Sequence, residues 1–214
     1  MGLLAHQEKI TQAIMGHSVT SIAAPRCNGK TYAALWAAVT QGGTSLYVAS
    51  GFAAARVAFD TTKVILDKLG HDPSRIVARN GALSIEFAAS NISPSGRLRF
   101  LSYNRNGSRG CTADTAIFDD AEMADPGLLA VVYPSLLQSQ NPRIVAISVA
   151  PDAGLAEHLW SRSDATLRWG GDSTLTVAEA NPGMGQLIPA RSIESAAAVL
   201  PAAVYAREHL GITA

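Results

Sequence analysis

Residues 19–31 read VTSIAAPRCNGKT, and residues 30–40 continue as KTYAALWAAVT. A β-prone run from Val19 to Ala24 enters a turn-rich loop. The loop passes without a break into a segment whose apolar residues recur at helical spacing from Lys30 to Thr40. Strand, loop and helix in that order are the context in which a Gly-Lys-Thr triplet cradles phosphate. Backbone N–H groups of the loop Ala24 to Thr31, together with the helix N-terminus, would surround a β-phosphate. Lys30 would neutralise β- and γ-oxygens and the Thr31 hydroxyl would hold Mg²⁺. Gly29 would let the backbone approach the phosphates closely. Pro25, Arg26, Cys27 and Asn28 complete the loop, with Arg26 adding a second positive charge near the γ-phosphate unless it is tied up in a structural ion pair. The first position of the motif departs from the usual pattern, because Ala24 stands where a glycine is expected. A chance Gly-Lys-Thr after a strand is the competing reading, and it loses weight because the second half of such a site is found downstream.

That second half is Thr115-Ala116-Ile117-Phe118-Asp119-Asp120-Ala121-Glu122, an apolar strand that ends in acids. A strand expected beside the phosphate-loop strand would deliver Asp119 to the metal ion. A carboxylate directly after it can polarise an attacking water. Asp120 occupies that position, where glutamate is more usual. Either Asp120 reaches through one more water or Glu122 takes its place, and the sequence leaves both open. An ordinary acidic loop that caps a helix would account for Asp125 but not for Asp119. A further strand, Arg143 to Val149, brings the Ser148 hydroxyl to its end, where it could sense a γ-phosphate. Gln7, upstream of the first strand, could read the adenine edge with its amide, although an isolated glutamine is more often a surface residue.

Around these motifs, short β-rich runs alternate with alanine-rich helical runs, as in a mostly parallel, doubly wound α/β sheet. The strands read as Val19–Ala24, Ser45–Ala49, Arg97–Tyr103, Thr115–Asp119 and Arg143–Val149. A longer amphipathic helix spans Ala53–Leu69 and stops at Gly70. Leu83–Ala88 alternates in the strand manner and can pair with Arg97–Tyr103 across the turn-rich Asn91–Gly96, while the strand order is not legible. After Trp169 the composition changes at Gly170-Gly171-Asp172-Ser173, which divides the chain into an ATPase-like domain, 1–170, and a helical tail, 171–214. Bulk properties exclude little. The chain is 48% hydrophobic and 16% charged, and 17 basic residues balance 17 acidic ones, so net charge votes for neither nucleic acid nor membrane. No run has the length and apolarity of a membrane span or a signal core, which places the chain in the cytoplasm. Cys27 and Cys111 have no CxxC neighbour and read as reduced thiols.

Taken together, several segments resemble the large terminase subunit of tailed bacteriophages. They are Leu4 to Gln7, the loop Pro25-Arg26-Cys27-Asn28-Gly29-Lys30-Thr31, Ser108-Arg109-Gly110-Cys111-Thr112-Ala113-Asp114, the acidic strand end and Ala180-Asn181-Pro182. The resemblance implies a P-loop fold of the additional-strand (ASCE) type that hydrolyses ATP with Mg²⁺ to drive double-stranded DNA into a procapsid. It further implies a portal protein, a small terminase subunit and a ring of like subunits as partners, in the host cytoplasm. Arg26 matches the family's phosphate-loop arginine and Arg109 the arginine that reaches a neighbouring subunit's ATP. Ser148 matches the coupling motif and Gln7 the adenine-reading glutamine. Thr176 to Gly211 looks like the linker subdomain that leads into a nuclease in that family, so the expectation here is an ATPase part with the nuclease separate or missing. The alternative, a nucleotide-binding assembly or regulatory module with a vestigial site, is kept open by Asp120.

Overall fold

In the computed structural model, which describes residues 2–79, 82–91, 93–103 and 110–213, the alternating pattern builds one eight-stranded sheet. The strands are β1 (Val19–Ala23), β2 (Gly43–Ala49), β3 (Pro73–Arg79), β4 (Ala82–Phe87), β5 (Gly96–Ser102), β6 (Thr115–Phe118), β7 (Arg143–Ser148) and β8 (Ala165–Arg168). Their spatial order is β3-β4-β5-β2-β6-β7-β1-β8. Every pairing from β5 to β8 is parallel, and β3-β4-β5 forms an antiparallel extension. The sequence leads one to expect the acidic strand β6 beside the phosphate-loop strand β1. Instead β7 lies between them, pairing Ile22 with Ile147 on one side and Phe118 with Ala146 on the other. All three strands point the same way and end at nearly the same level, so one intervening strand does not separate the chemistry at their C-terminal ends. This is the additional-strand arrangement.

The helices are α1 (Ala5–Gly16), α2 (Lys30–Gln41), α3 (Phe52–Lys68), α4 (Leu128–Val132), α5 (Gly154–Trp160), α6 (Val177–Ala180), α7 (Ala190–Val199) and α8 (Ala202–Leu210). The first three cover one face of the sheet, where Ile10, Ile14, Leu35, Val39, Phe59 and Leu66 meet Ile22, Tyr47, Leu98 and Val145. The opposite face packs Leu46, Val48 and Phe118 against Leu128, Leu155 and Leu159. Strand β2 shows why its second half, Leu46 to Ala49, is apolar without alternation: Tyr47 and Ala49 serve the first core, Leu46 and Val48 the second, as expected of a strand buried on both faces. Ala33, Ala34, Ala37 and Ala38 are all buried, and their small side chains let α2 lie close to both the sheet and α1.

Two strands and several helices escape a reading of the sequence. β3 is an edge strand with nearly every residue exposed, and β8 is a four-residue edge strand of half-buried and exposed positions. Neither has the contrast between two faces on which a period-2 reading depends. In the antiparallel extension α3 covers one face only. The other presents Arg75, Arg79, Arg97 and Arg99, with Glu86 between Arg75 and Arg97 in register. Among the described residues no helix is long and apolar enough to cross a membrane.

Candidate nucleotide site

The loop after β1 is held by its own side chains and by the C-terminal segment. Cys27 and Gly29 both adopt left-handed backbone, at φ +64° and +75°. Gly29 is required on two counts, since a Cβ there would also collide with Gln7 Nε2. Ala24 is not among the left-handed residues, which is why an alanine is accepted at the first motif position. Asn28 is buried and acts as a staple. Its Nδ2 donates to Pro25 O (3.1 Å), Arg26 O (3.2 Å) and Asn181 Oδ1 (3.0 Å), and its Oδ1 accepts from Gly183 N (2.8 Å). Behind the loop, His6 Nε2 donates to Asn28 O (2.8 Å). The Gln7 amide donates to Gly29 O (3.4 Å) and accepts from Leu4 N (3.0 Å). Both ends of that amide are thus engaged within the chain, and Gln7 is buried rather than on the surface.

Lys30 opens α2 and folds its ammonium back over the loop, donating to Ala24 O (2.5 Å) and Pro25 O (3.0 Å). Burial lowers its pKa to about 8, against the opposing pull of Asp119 and Glu122. Thr31 Oγ1 donates to Asp119 Oδ2 (2.7 Å), and the Tyr47 hydroxyl donates to the same oxygen. Burial raises the proton affinity of Asp119, and these two hydrogen bonds only partly oppose the rise. Thr31 and Asp119 offer hard oxygen donors side by side, a donor set that suits Mg²⁺.

Asp120 sits at φ +53°, a costly conformation for a residue with a Cβ and one that clusters at functional sites. Its N–H donates to Asp119 Oδ1 (3.1 Å) and its own Oδ2 accepts from Ser50 Oγ (3.1 Å). Arg26 Nη1 lies 3.6 Å from the other carboxylate oxygen, while Arg26 Nε is ion-paired to Glu208 of α8. Glu122 turns toward the end of β7, where Oε1 accepts from Val149 N (3.2 Å) and Oε2 is buried without a hydrogen-bond partner among the described residues. Burial raises the proton affinity of this carboxylate as well. Ser148 is buried and its hydroxyl donates to Ile22 O (3.4 Å), beside the Ala24 N to Ser148 O bond (3.2 Å) that fastens the loop to β7.

A cleft of about 570 Å³ is lined by Arg26, Lys30, Thr31, Tyr47, Asp119 and Asp120, and it continues along an apolar wall of Ala54, Val57 and Ala58. Most of the sequence-derived residues therefore gather at one cleft, with three exceptions: Glu122 stands behind its lining, Gln7 lies behind the loop, and Ser148 is buried with its hydroxyl on Ile22 O. Arg109 lies outside the described residues. Tyr47 and Ser50 also belong to the site but carry no signal in the sequence, where they look like ordinary strand and turn residues. Glu208, distant in the chain, is equally silent in the sequence. Only the pairing of β2 with β6, Tyr47 opposite Ile117, exposes the first of these.

No family model matches the chain, and no curated protein matches it in sequence. The fold does have solved relatives. The large terminase of bacteriophage HK97 superimposes with a TM-score of 0.72 at 16% identity over 99% of this chain and 50% of that one. The large terminase of a thermophilic bacteriophage gives 0.73 at 11% identity over 99% and 54%. The large terminase ATPase domain of Thermus phage P74-26 gives 0.68 at 16% identity over 97% of this chain and 92% of that domain. The chain thus spans about half the length of the first two proteins and nearly all of the P74-26 domain, and its fold is that of the large-terminase ATPase domain.

Proposed function

We propose that this chain is the ATPase of a viral DNA-packaging motor. The observation that carries the proposal is the meeting of Lys30, Thr31, Asp119 and Asp120 around one cleft, on the fold of a large-terminase ATPase domain. The large terminase of the thermophilic bacteriophage has been solved in complex with ADP and with ATP-gamma-S, which supports a nucleotide as the occupant of the corresponding site. In this reading Lys30 leaves the Ala24 and Pro25 carbonyls for the β- and γ-phosphates, and Thr31 and Asp119 hold Mg²⁺, which neutralises phosphate charge when bound. Asp120 lines the cleft and accepts the proton of the water that attacks the γ-phosphorus as the bond to the β-phosphate oxygen breaks. Glu122 stands behind it, Ser148 senses the γ-phosphate from β7, and Arg26 adds positive charge beside it. Gln7 acts as a support of the loop and reads adenine only if its amide is released from Gly29.

Residues 171–214 form the linker subdomain in this proposal, and Arg109 serves the ATP of the next subunit in a ring. The exposed arginine face of β3-β4-β5 suits the phosphates of double-stranded DNA, because its positive charge is local in a chain that is neutral overall. Portal, procapsid and small terminase subunit are the partners such a motor requires. The test is ATP hydrolysis by the purified chain, with and without double-stranded DNA. Turnover that vanishes in Lys30→Ala, in a chain that keeps its circular dichroism, is the expected result. Equal turnover in both would sink the assignment. The second reading, a nucleotide-binding module with a vestigial ATPase, draws on the engagement of Asp120 by Ser50 and Arg26. Tight ADP binding without turnover, with or without DNA, would favour it.

A further inference from the structure

Tyr47 is an aromatic side chain that lines the candidate site and brings its hydroxyl to one of the site's carboxylates. Its ring belongs to the first core, 1% exposed and 5.8 Å from the ring of Phe100. For packing alone a phenylalanine would do as well. A phenol hydroxyl buried at this depth must find a partner, and the partner is Asp119 Oδ2. That oxygen also accepts from Thr31, and Oδ1 accepts from Asp120 N, so the rotation of the carboxylate is fixed from three directions. The donors differ in rigidity. Thr31 belongs to the phosphate loop and its helix, which must adjust to a ligand, whereas Tyr47 is carried by a central strand bonded on both sides, to β5 and to β6. A second tyrosine, Tyr103, donates to the main-chain carbonyl of Asp119 and holds the strand end without touching its carboxylate.

We infer that Tyr47 is a positioning residue for the divalent cation, holding the Asp119 carboxylate in the orientation that ligates Mg²⁺ and thereby setting the cation affinity of the site. The inference rests on the ATPase reading. Groups that hydrogen-bond a metal ligand from outside the coordination shell typically change metal affinity or activity about 10- to 100-fold when removed. Tyr47→Phe in the full chain should therefore raise the free Mg²⁺ needed for half-maximal ATP hydrolysis by roughly 10-fold or more. Turnover should recover when Mg²⁺ is saturating, and ADP binding in EDTA should stay as in the wild type. Tyr103→Phe should shift the Mg²⁺ requirement much less. Phe100→Leu, which loosens the ring and keeps the hydroxyl, should lower stability without moving that requirement.

An unchanged Mg²⁺ requirement in Tyr47→Phe would overturn the inference, as would an equal shift in Tyr103→Phe or Phe100→Leu. A Tyr47→Phe chain that does not fold would assign the hydroxyl to folding instead. A wild-type chain without Mg²⁺-dependent nucleotide binding would overturn the ATPase reading itself. Wild-type dependence with no effect of Tyr47→Phe would remove only the inference.

Discussion

Lys30 carries its charge in a place that favours losing it. Its ammonium rests on two loop carbonyls, and burial brings its pKa down to about 8. The folded chain thus holds this proton less tightly than the unfolded one. Between about pH 8 and the ordinary lysine range the unfolded state binds more protons, so this residue makes stability rise with pH there; below about pH 8 it contributes a constant penalty. Lys30→Met should melt at the same or a higher temperature than wild type at about pH 7, and the gap should narrow by about pH 10, while ATP hydrolysis disappears. Phosphates require the charged form, so nucleotide binding above about pH 8 should take up a proton and weaken by at most about tenfold per pH unit. Calorimetry in two buffers of different ionisation enthalpy reads that uptake directly. The three acids separate in the same assay. Asp119→Asn should weaken the Mg²⁺ dependence of nucleotide binding, whereas Asp120→Asn should bind Mg·ADP normally and lose turnover. A turnover loss confined to Glu122→Gln would move the base to the buried carboxylate behind the cleft.

At the scale of elements, the phosphate loop is shared between the sheet and the C-terminal helices. Asn28 bonds both to its own loop and to Asn181 and Gly183, while Asn181 Nδ2 reaches His209 O (2.7 Å) at the end of α8. Arg26 N donates to Glu208 O (2.9 Å), and Arg207 is ion-paired to Asp152, just beyond the end of β7. The segment after β8 is therefore a clamp on the loop. Asn181→Ala takes the Asn181 amide from the His209 carbonyl and one of three acceptors from the Asn28 amide, and a polar group left unpaired costs about 1–3 kcal/mol. We expect a lower urea midpoint and weaker ADP affinity together, although Asn181 is remote in sequence from Lys30 and Thr31. A loss of stability with unchanged ADP affinity would show that the clamp holds the tail and not the loop.

For the whole molecule, the proposed motor makes two demands on surfaces rather than on the cleft. An arginine supplied in trans is worth about 10³-fold or more in rate. If Arg109 plays that part, isolated subunits hydrolyse ATP slowly and specific activity rises with concentration. Mixing Arg109→Ala with Lys30→Ala subunits should then restore activity that neither has alone; a mixture no better than its parents would count against a shared site. The arginine face of the antiparallel extension makes the second demand. Charge reversal at Arg75 and Arg97 should abolish DNA stimulation and leave hydrolysis without DNA intact. For every phosphate that is no longer neutralised, the dependence of log affinity on log salt should flatten by about 0.9. DNA affinity with an unchanged salt slope would place the DNA-binding surface elsewhere.

The phosphate loop, the acidic strand end and the parallel α/β class are legible because each is local. A strand running into Gly-Lys-Thr at a helix start, and an apolar run closing on Asp119, are dictated by side chains a few positions apart. The short apolar run of β2, and the long apolar repeat of α3, carry the same kind of information. The interposition of β7, and with it the correction to the expected β1–β6 pairing, depends on which strands meet across the sheet, and parallel strands are joined by crossovers that leave no local mark of their order. Tyr47 reads as one more core aromatic until register sets it opposite Ile117 and its hydroxyl on Asp119. Glu208 and Asn181 are likewise ordinary polar residues until the tail closes on the loop. Sequence determined which groups this protein has for the proposed phosphate chemistry; tertiary packing decided their companions, because the donors that fix a buried carboxylate come from separate elements and meet only when the sheet is complete.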